Sequence, residues 1–246
     1  MRPPIATGRR FFRPAALLDG LLPRHCVLCG AACGAANLCS PCRADLPRAD
    51  RSCTLCALPI RLAPDTVCGA CLRRPPAWDG AVSGLLYRFP VDQLVCRLKF
   101  SRDLACAEIL AREMLDAVTL AHAETPQMIV PVPLHRTRHF LRTFNQADLL
   151  AGRLGEALGI RVCSRLLART RWTPAQSGLD ADQRRRNIRG AIACRAVGAA
   201  NPGGQHVALV DDVMTTGATL AECCRALKRV GSSRISVWVA ARAPHG

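Results

Sequence analysis

The sequence predicts an α/β fold, with a parallel β-sheet flanked by helices, preceded by a small cysteine-rich metal-binding domain. From residue 80 onward, short apolar runs alternate with amphipathic segments, as in strands connected by helices. One run, residues 207–210, is wholly apolar, which is typical of a strand buried on both faces of a parallel sheet. Four Cys-x-x-Cys pairs lie within residues 26–71, where few large apolar side chains could form a core.

The cysteine pairs have the spacing of zinc ligands. Each pair places two sulfurs on one tight turn, and two turns supply the four thiolates of a closed tetrahedral site. Four turns predict two structural Zn²⁺ ions whose binding is coupled to folding. Pairing the turns in sequence gives a double zinc ribbon, alternate pairing gives a cross-braced module, and redox-active or disulfide-bonded pairs are a further alternative. Cys33 is left over, as a spectator or a replacement ligand. The predicted ligands are Cys26, Cys29, Cys39, Cys42, Cys53, Cys56, Cys68 and Cys71.

The chain is expected to divide into three segments. Residues 1–22 form a tail with one short helix, residues 23–75 hold the zinc ribbons, and residues 76–246 form the α/β domain. Apolar periodicity within the last segment predicts a strand or hairpin over residues 80–89, strands at 128–132, 207–210 and 235–240, and helices over 91–100, 104–120, 147–158 and 220–230.

Two adjacent acids, Asp211 and Asp212, end the predicted central strand, and a hydroxyl-rich turn leads into the next helix. Ligands of open α/β sheets bind at such crossovers. A helix N-terminus favours an anion, Gly217 allows close approach of the backbone, and threonine hydroxyls add donors. Because the turn lacks a Walker A lysine, a phosphate monoester fits better than a triphosphate. With carboxylates about one sugar away, the predicted ligand is a ribose 5-phosphate. An ordinary β-turn-α with a threonine cap is the alternative, but it leaves the acid pair unexplained.

A second crossover, after the strand at 128–132, carries a basic loop with Arg136, Arg138 and Arg142. The turn at residues 215–219, which we call the phosphate cradle, suits the phosphate end of a ligand, and the cationic loop suits a second anionic end of the same ligand. Lys99, at the end of the helix over residues 91–100, is the other notable cation, because the chain holds only one further lysine. Its alternative role is that of a solvated cation in a last helical turn.

The formal net charge is +16, carried almost wholly by arginine, which favours polyanionic partners unless it reflects a genome-wide arginine bias. Residues 134–189 contain 12 Arg against 4 Asp plus Glu, and residues 169–189 are expected to pass over the site face or to form a solvated charged surface.

No signal peptide precedes the 15 cysteines and no apolar run has membrane-spanning length, so we expect a cytoplasmic protein. The arginine-rich start leaves an organelle transit peptide as an alternative.

The string V-D-D-V-M-T-T-G-A-T, residues 210–219, resembles the phosphoribosyl-pyrophosphate (PRPP) motif of type I phosphoribosyltransferases. Further features accompany this motif and the cysteine pairs: Leu98-Lys99-Phe100, Pro131-Val132-Pro133-Leu134, Arg142-Thr143-Phe144-Asn145-Gln146, Gln176, Leu179, Arg184 and Asn187. In these features, and apart from its first ten residues, the chain resembles the ComF family, which is associated with DNA uptake in naturally transformable bacteria. It departs from that family at Thr143, where glycine is usual, and at Ile192, where phenylalanine is usual.

The resemblance implies a type I phosphoribosyltransferase-like sheet that binds PRPP with Mg²⁺, the metal being held mainly by PRPP and water. It also implies a part in DNA uptake and natural transformation through handling of single-stranded DNA, with competence or helicase proteins as partners. An orphan phosphoribosyltransferase of nucleotide metabolism and a non-catalytic PRPP sensor are the alternatives. The implied site comprises Thr215, Thr216, Gly217, Ala218 and Thr219 at the 5-phosphate, Asp211 and Asp212 at the ribose hydroxyls, and Arg142, Arg138 and Lys99 facing the pyrophosphate.

Overall fold

The computed structural model describes residues 24–33, 36–49, 51–61, 63, 66–134, 144–171, 188–195 and 201–244. The predicted tail, the basic loop with Arg138 and Arg142, and most of the arginine-rich segment lie outside these residues.

The secondary-structure elements of the described chain form one parallel sheet, one antiparallel strand pair and six helices. They are α1 (Ser40–Ala44), α2 (Gly69–Arg73), β1 (Gly80–Leu86), α3 (Val91–Ser101), α4 (Leu104–Leu120), β2 (Met128–Pro131), α5 (Gln146–Leu158), β3 (Leu167–Arg169), β4 (Ile192–Cys194), β5 (His206–Met214), α6 (Ala218–Arg229) and β6 (Arg234–Arg242).

The sheet contains four strands in the order β1-β6-β5-β2, and each neighbouring pair is parallel. The α/β fold expected from the sequence is therefore confirmed. The antiparallel pair β3–β4, which sequence reasoning did not anticipate, brackets the arginine-rich segment. Among the described residues, no helix combines the length and apolarity needed to cross a membrane.

One predicted boundary is wrong. We expected the central strand to end at the acid pair, but β5 continues to Met214. Asp211 and Val213 still pair with Val239 and Ala241 of β6, so the ladder holds this part of the chain extended. The two carboxylates consequently lie on a rigid strand, and successive side chains of a strand point to opposite faces.

The two faces of β5 belong to different cores. Ala208 and Val210 pack in a cluster with α3, α4, α5 and the first cysteine segment. Val207 and Leu209 pack with α6, the β3–β4 pair and Trp78. All four strand side chains are fully buried, as predicted for a strand covered on both faces.

Charged contacts hold the first cysteine segment on α4. Glu113 is 4% exposed and accepts hydrogen bonds from Arg43 at 2.8 Å and from Arg48. Asn37 donates to the carboxylate of Glu108 at 2.9 Å. A buried carboxylate is costly to leave unpaired, so the two arginines fix this segment against the α/β domain.

Candidate functional site

The eight predicted zinc ligands gather into two clusters, and in each cluster the four sulfurs lie within 4.8 Å of one another. The Sγ–Sγ distance is 3.6 Å for Cys29 and Cys39, and 3.8 Å for Cys56 and Cys68. Sulfurs bound at about 2.3 Å to a tetrahedral zinc would stand about 3.8 Å apart, so both donor sets fit Zn²⁺. The first cluster is Cys26, Cys29, Cys39 and Cys42, and the second cluster is Cys53, Cys56, Cys68 and Cys71.

The clusters pair the turns in sequence, so the ribbon arrangement is the one that forms and the cross-braced alternative is wrong. Cys33 joins neither cluster, and its sulfur instead faces the backbone carbonyl of Arg24 at 3.6 Å. Four thiolates around each ion leave no open coordination position, which is typical of a structural site.

Backbone amides prepare one thiol in each cluster for metal binding. Burial raises the pKa of Cys26, but amide hydrogen bonds from Cys29 and Cys39 outweigh burial and lower it to about 6. Burial also raises the pKa of Cys53, yet amide donors led by Cys68, whose N–H lies 3.2 Å from the sulfur, lower it to about 7. The thiolate is the form that binds zinc, so these two sulfurs can accept the ion at neutral pH.

Asp212, the second member of the acid pair, meets Lys99 at the carboxyl-terminal part of β5. Lys99 extends from the last turn of α3 and places its Nζ 3.1 Å from Oδ2 of Asp212. The other oxygen of Asp212 accepts the backbone N–H of Val213 at 2.7 Å. Lys99 is 23% exposed and Asp212 12% exposed at the side chain. This buried contact favours the site role of Lys99 over that of a solvated cation.

Asp211 occupies the opposite face and has an unusual acidity. Burial and the neighbouring charge of Asp212 raise its pKa to about 7, against the lowering effects of the Asp212 amide and Lys99. Its charge also contributes, after burial and Cys224, to raising the pKa of Cys223 on α6. The strand therefore presents one paired carboxylate and one that titrates near neutral pH.

The predicted phosphate cradle begins directly after β5. Gly217 is the N-terminal cap of α6 and has a φ of +73°, a conformation that L side chains rarely adopt. A Cβ on Gly217 would lie 2.7 Å from Cη2 of Trp78. Two observed features therefore require glycine at this position, the backbone conformation and the indole packed against it. The sequence predicts a different reason, the close approach of an anion.

The segment between β2 and α5 is fastened at the described residues on its two sides. Asn145 caps α5 by accepting the N–H of Ala147 at 3.2 Å, and its Nδ2 donates to the carbonyl of Val132 at 3.0 Å. Arg138 and Arg142 belong to the chain between these anchors but lie outside the described residues, so their part in the site stays a prediction.

Sequence reasoning missed two residues that touch the cradle, Trp78 and Arg242. Arg242 is 3% exposed and donates to the carbonyls of Met214 and Thr215. Its signal in the sequence is an arginine two residues after the strand predicted over residues 235–240. No signal of this kind marked Trp78, whose partner Gly217 lies far along the chain.

Two domain families match this chain: the double zinc ribbon domain over residues 17–72 and the phosphoribosyl transferase domain over residues 173–246. Among solved structures, glutamine phosphoribosylpyrophosphate amidotransferase from B. subtilis is similar with 18% identity and a TM-score of 0.35. That match covers 53% of this chain and 25% of that chain. A likeness this distant carries no argument, and the fold assignment rests on the strand topology and the domain match.

Two relatives of higher identity match most of the chain. The DNA utilization protein YhgH of Salmonella typhimurium is 37% identical over 227 residues, which cover 90% of this chain and 98% of that protein. Competence protein F of Haemophilus influenzae is 38% identical over 180 residues, covering 72% of this chain and 78% of that protein. Both relatives exceed 30% identity over more than two thirds of this chain, and the two matched domains fall on the cysteine clusters and on the carboxyl-terminal part of the α/β domain. The chain therefore belongs to the ComF family.

Proposed function

We propose that this protein binds PRPP with Mg²⁺ at the carboxyl edge of its sheet and works in the cytoplasmic utilisation of DNA. One arrangement carries the ligand assignment. A Thr-Thr-Gly turn joins two adjacent acids, of which Asp212 contacts Lys99, to the N-terminus of α6. The phosphoribosyl transferase domain match and the names of the relatives, which refer to DNA utilization and competence, support the wider role.

Each part of the site suits one part of PRPP. The first-turn amides of α6 and the threonines 215, 216 and 219 suit the 5-phosphate, because a helix N-terminus attracts anions. Asp211 and Asp212 suit the ribose hydroxyls, which donate hydrogen bonds to carboxylates. Lys99 reaches Asp212 from α3, and its charge can turn toward a leaving pyrophosphate.

The residues present are compatible with Mg²⁺ carried by the ligand. Mg²⁺ prefers oxygen ligands, keeps several waters and commonly binds through one or two carboxylates plus substrate phosphates. Among the described residues at this edge, Asp211 and Asp212 are the carboxylates that could contribute. When bound, the ion would neutralise part of the charge on the pyrophosphate. The chain itself orients the sugar and supplies the cationic groups around it.

Calorimetric titration of the zinc-loaded protein with PRPP and Mg²⁺ tests the binding proposal. We expect saturable binding that falls at least tenfold in the double variant Asp211→Asn, Asp212→Asn. Asp116→Asn, which alters an exposed acid on α4, is the matched control and should bind as the unaltered protein does. Equal affinity in all three proteins would refute the assignment. Exchange of labelled pyrophosphate into PRPP then separates a transferase from a sensor.

Binding of single-stranded DNA is a second candidate function, favoured by an arginine-lined cleft. A cavity of about 1420 Å³ lies between the second cluster and α6, and it shares Thr216 and Gly217 with the cradle. Its single acid among the described lining residues, Glu222, is already paired with Arg225 at 2.6 Å. The arginines that line it are Arg73, Arg74, Arg189, Arg225, Arg229 and Arg242.

A cleft with this charge suits a phosphodiester backbone, with DNA-processing proteins such as competence factors or helicases as further partners. Binding should weaken steeply between about 50 and 200 mM salt, because counterions are released from the nucleic acid. Arg73→Ala with Arg74→Ala should lower both the affinity for a labelled oligonucleotide and its salt dependence. Arg112→Ala with Arg153→Ala, on α4 and α5, is the matched control. An affinity that is indifferent to both salt and the cleft variants would remove this candidate.

A further inference from the structure

Arg242 connects the second cluster to the start of the phosphate turn. Its Nε donates to the carbonyl of Cys56 at 2.8 Å, while its Nη1 lies 2.9 Å from the carbonyl of Met214 and 2.6 Å from that of Thr215. A guanidinium is planar and holds its donors in fixed directions. Movement of the metal-binding turn at Cys56 is therefore transmitted to the residues that begin the cradle.

The hydrogen bond to Thr215 also sets the direction of the next amide. In a trans peptide the C=O and N–H groups point to opposite sides of the chain. Since the carbonyl of Thr215 faces Arg242, the N–H of Thr216 is directed away from Arg242. Arg242 thus orients one of the backbone donors that a phosphate at this turn would use.

Trp78 makes a second connection between the same two places. Its Nε1 donates to the carbonyl of Leu55, inside the Cys53–Cys56 turn, at 2.5 Å. The far edge of its indole packs against Gly217, leaving no room for a Cβ there. Trp78 is 7% exposed, so a shift of the metal-binding turn would press on the cap of α6.

Charge gives the connection an energetic basis. Four thiolates around one Zn²⁺ carry a net charge of −2. Burial lowers the pKa of Arg242, whereas the thiols of Cys56, Cys71 and Cys68 act in the opposite direction. The guanidinium is thus the buried counter-charge of the second cluster as well as the donor to the turn. The first cluster packs instead toward α3 and α4, where the exposed Arg97 of α3 donates to the carbonyl of Val27 at 2.8 Å.

We propose that the second zinc site positions the phosphate turn through Arg242 and Trp78. Loss of zinc from the second site, and not from the first, would then loosen the turn and weaken the affinity for PRPP. The statement about affinity rests on the proposed function, whereas the statement about the turn does not. Arg242 and Trp78 are positioning residues, since neither is required to touch the ligand.

Hydrogen exchange without PRPP tests the coupling directly. Cys68→Ser removes a partly exposed ligand of the second cluster, and Cys39→Ser removes a comparable ligand of the first. In Cys68→Ser we expect amides of residues 214–220 to exchange about tenfold faster, while residues 207–210 keep their protection. In Cys39→Ser, residues 214–220 should exchange as in the unaltered protein. Equal changes in the two variants, or none in either, would overturn the proposal.

Two milder variants keep both zinc sites and address the connecting residues. Trp78→Phe loses the donor to Leu55 and, because its ring is shorter, also the contact of the outer indole edge with Gly217. Arg242→Lys retains the charge but loses the fork of donors. Each should speed exchange at residues 214–220 with a full complement of zinc by metal analysis. Where PRPP binds the unaltered protein, each variant should bind it several-fold more weakly. Absence of PRPP binding by the unaltered protein would refute the proposed function alone, whereas unchanged exchange in both variants would refute the coupling alone.

Discussion

The acidity of Asp211 makes the affinity for PRPP depend on pH. Burial and the adjacent charge of Asp212 raise the pKa of Asp211 from 3.8 to about 7. The carboxylate, and not the protonated acid, is the stronger acceptor for ribose hydroxyls. Affinity should therefore rise with pH as Asp211 loses its proton.

The size of the effect follows from the pKa. If only the ionised form binds, the apparent dissociation constant is multiplied by one plus the ratio of protonated to ionised acid. With a pKa of about 7, that factor is about 11 at pH 6 and about 1.1 at pH 8. Affinity should thus increase about tenfold between these two values.

Calorimetry over pH 6 to 8 measures both the affinity and the proton balance. At pH 6 binding should release close to one proton from Asp211, which is detected by comparing buffers with different ionisation enthalpies. The 5-phosphate of PRPP itself titrates near pH 6, so the same series is run on Asp211→Asn. The difference between the two pH profiles isolates the contribution of Asp211. Superimposable profiles would refute the role given to this carboxyl.

Further predictions concern neighbouring residues and the metal. Because the charge of Lys99 lowers the pKa of Asp211, Lys99→Gln should move the midpoint of the pH profile above 7 in the same calorimetric series. The folded pKa of Asp211 is raised, so the folded chain holds more protons than the unfolded chain above pH 4 and stability falls as pH rises toward 7. In urea unfolding at pH 8, Asp211→Asn should raise the free energy of unfolding by about 1 to 2 kcal/mol, a figure discounted for the solvent contact of this half-buried group. At pH 4 the free energy of unfolding should not change. Gly217→Ala should lower the free energy of unfolding by about 2 to 3 kcal/mol, because the new Cβ strains the backbone and collides with Trp78. Gly159→Ala, at a φ of +67° with nothing within 4 Å, should lose only about 1 kcal/mol, and equal losses would contradict the packing argument. A strong chelator should remove two zinc ions per chain and unfold the cysteine segments, as followed by metal analysis and circular dichroism.

Local patterns predicted most of the elements. The helix expected over residues 104–120 is α4 (Leu104–Leu120), and each expected strand overlaps a strand of the observed sheet, although the run expected over 80–89 ends at Leu86. Hydrophobic periodicity suffices for these because burial of one face is read directly from spacing along the chain. The end of β5 was misplaced, because an acid pair normally indicates a strand end, whereas hydrogen bonds to β6 kept the chain extended to Met214. The cross-strand partner was not visible in the local sequence.

The sequence by itself determined the eight clustered cysteines, the parallel sheet and the Thr-Thr-Gly turn after its central strand, since each depends on residues close together along the chain. Only the tertiary structure decided that the cysteine turns pair in order, that Lys99 reaches Asp212, and that Trp78 covers Gly217. The contact of Lys99 with Asp212 joins distant parts of the chain, and it forms because the strand order β1-β6-β5-β2 brings separate crossovers to one edge of the sheet. The same order places Arg242 between the second cluster and the turn, a contact that spacing alone does not reveal because its partners are backbone carbonyls.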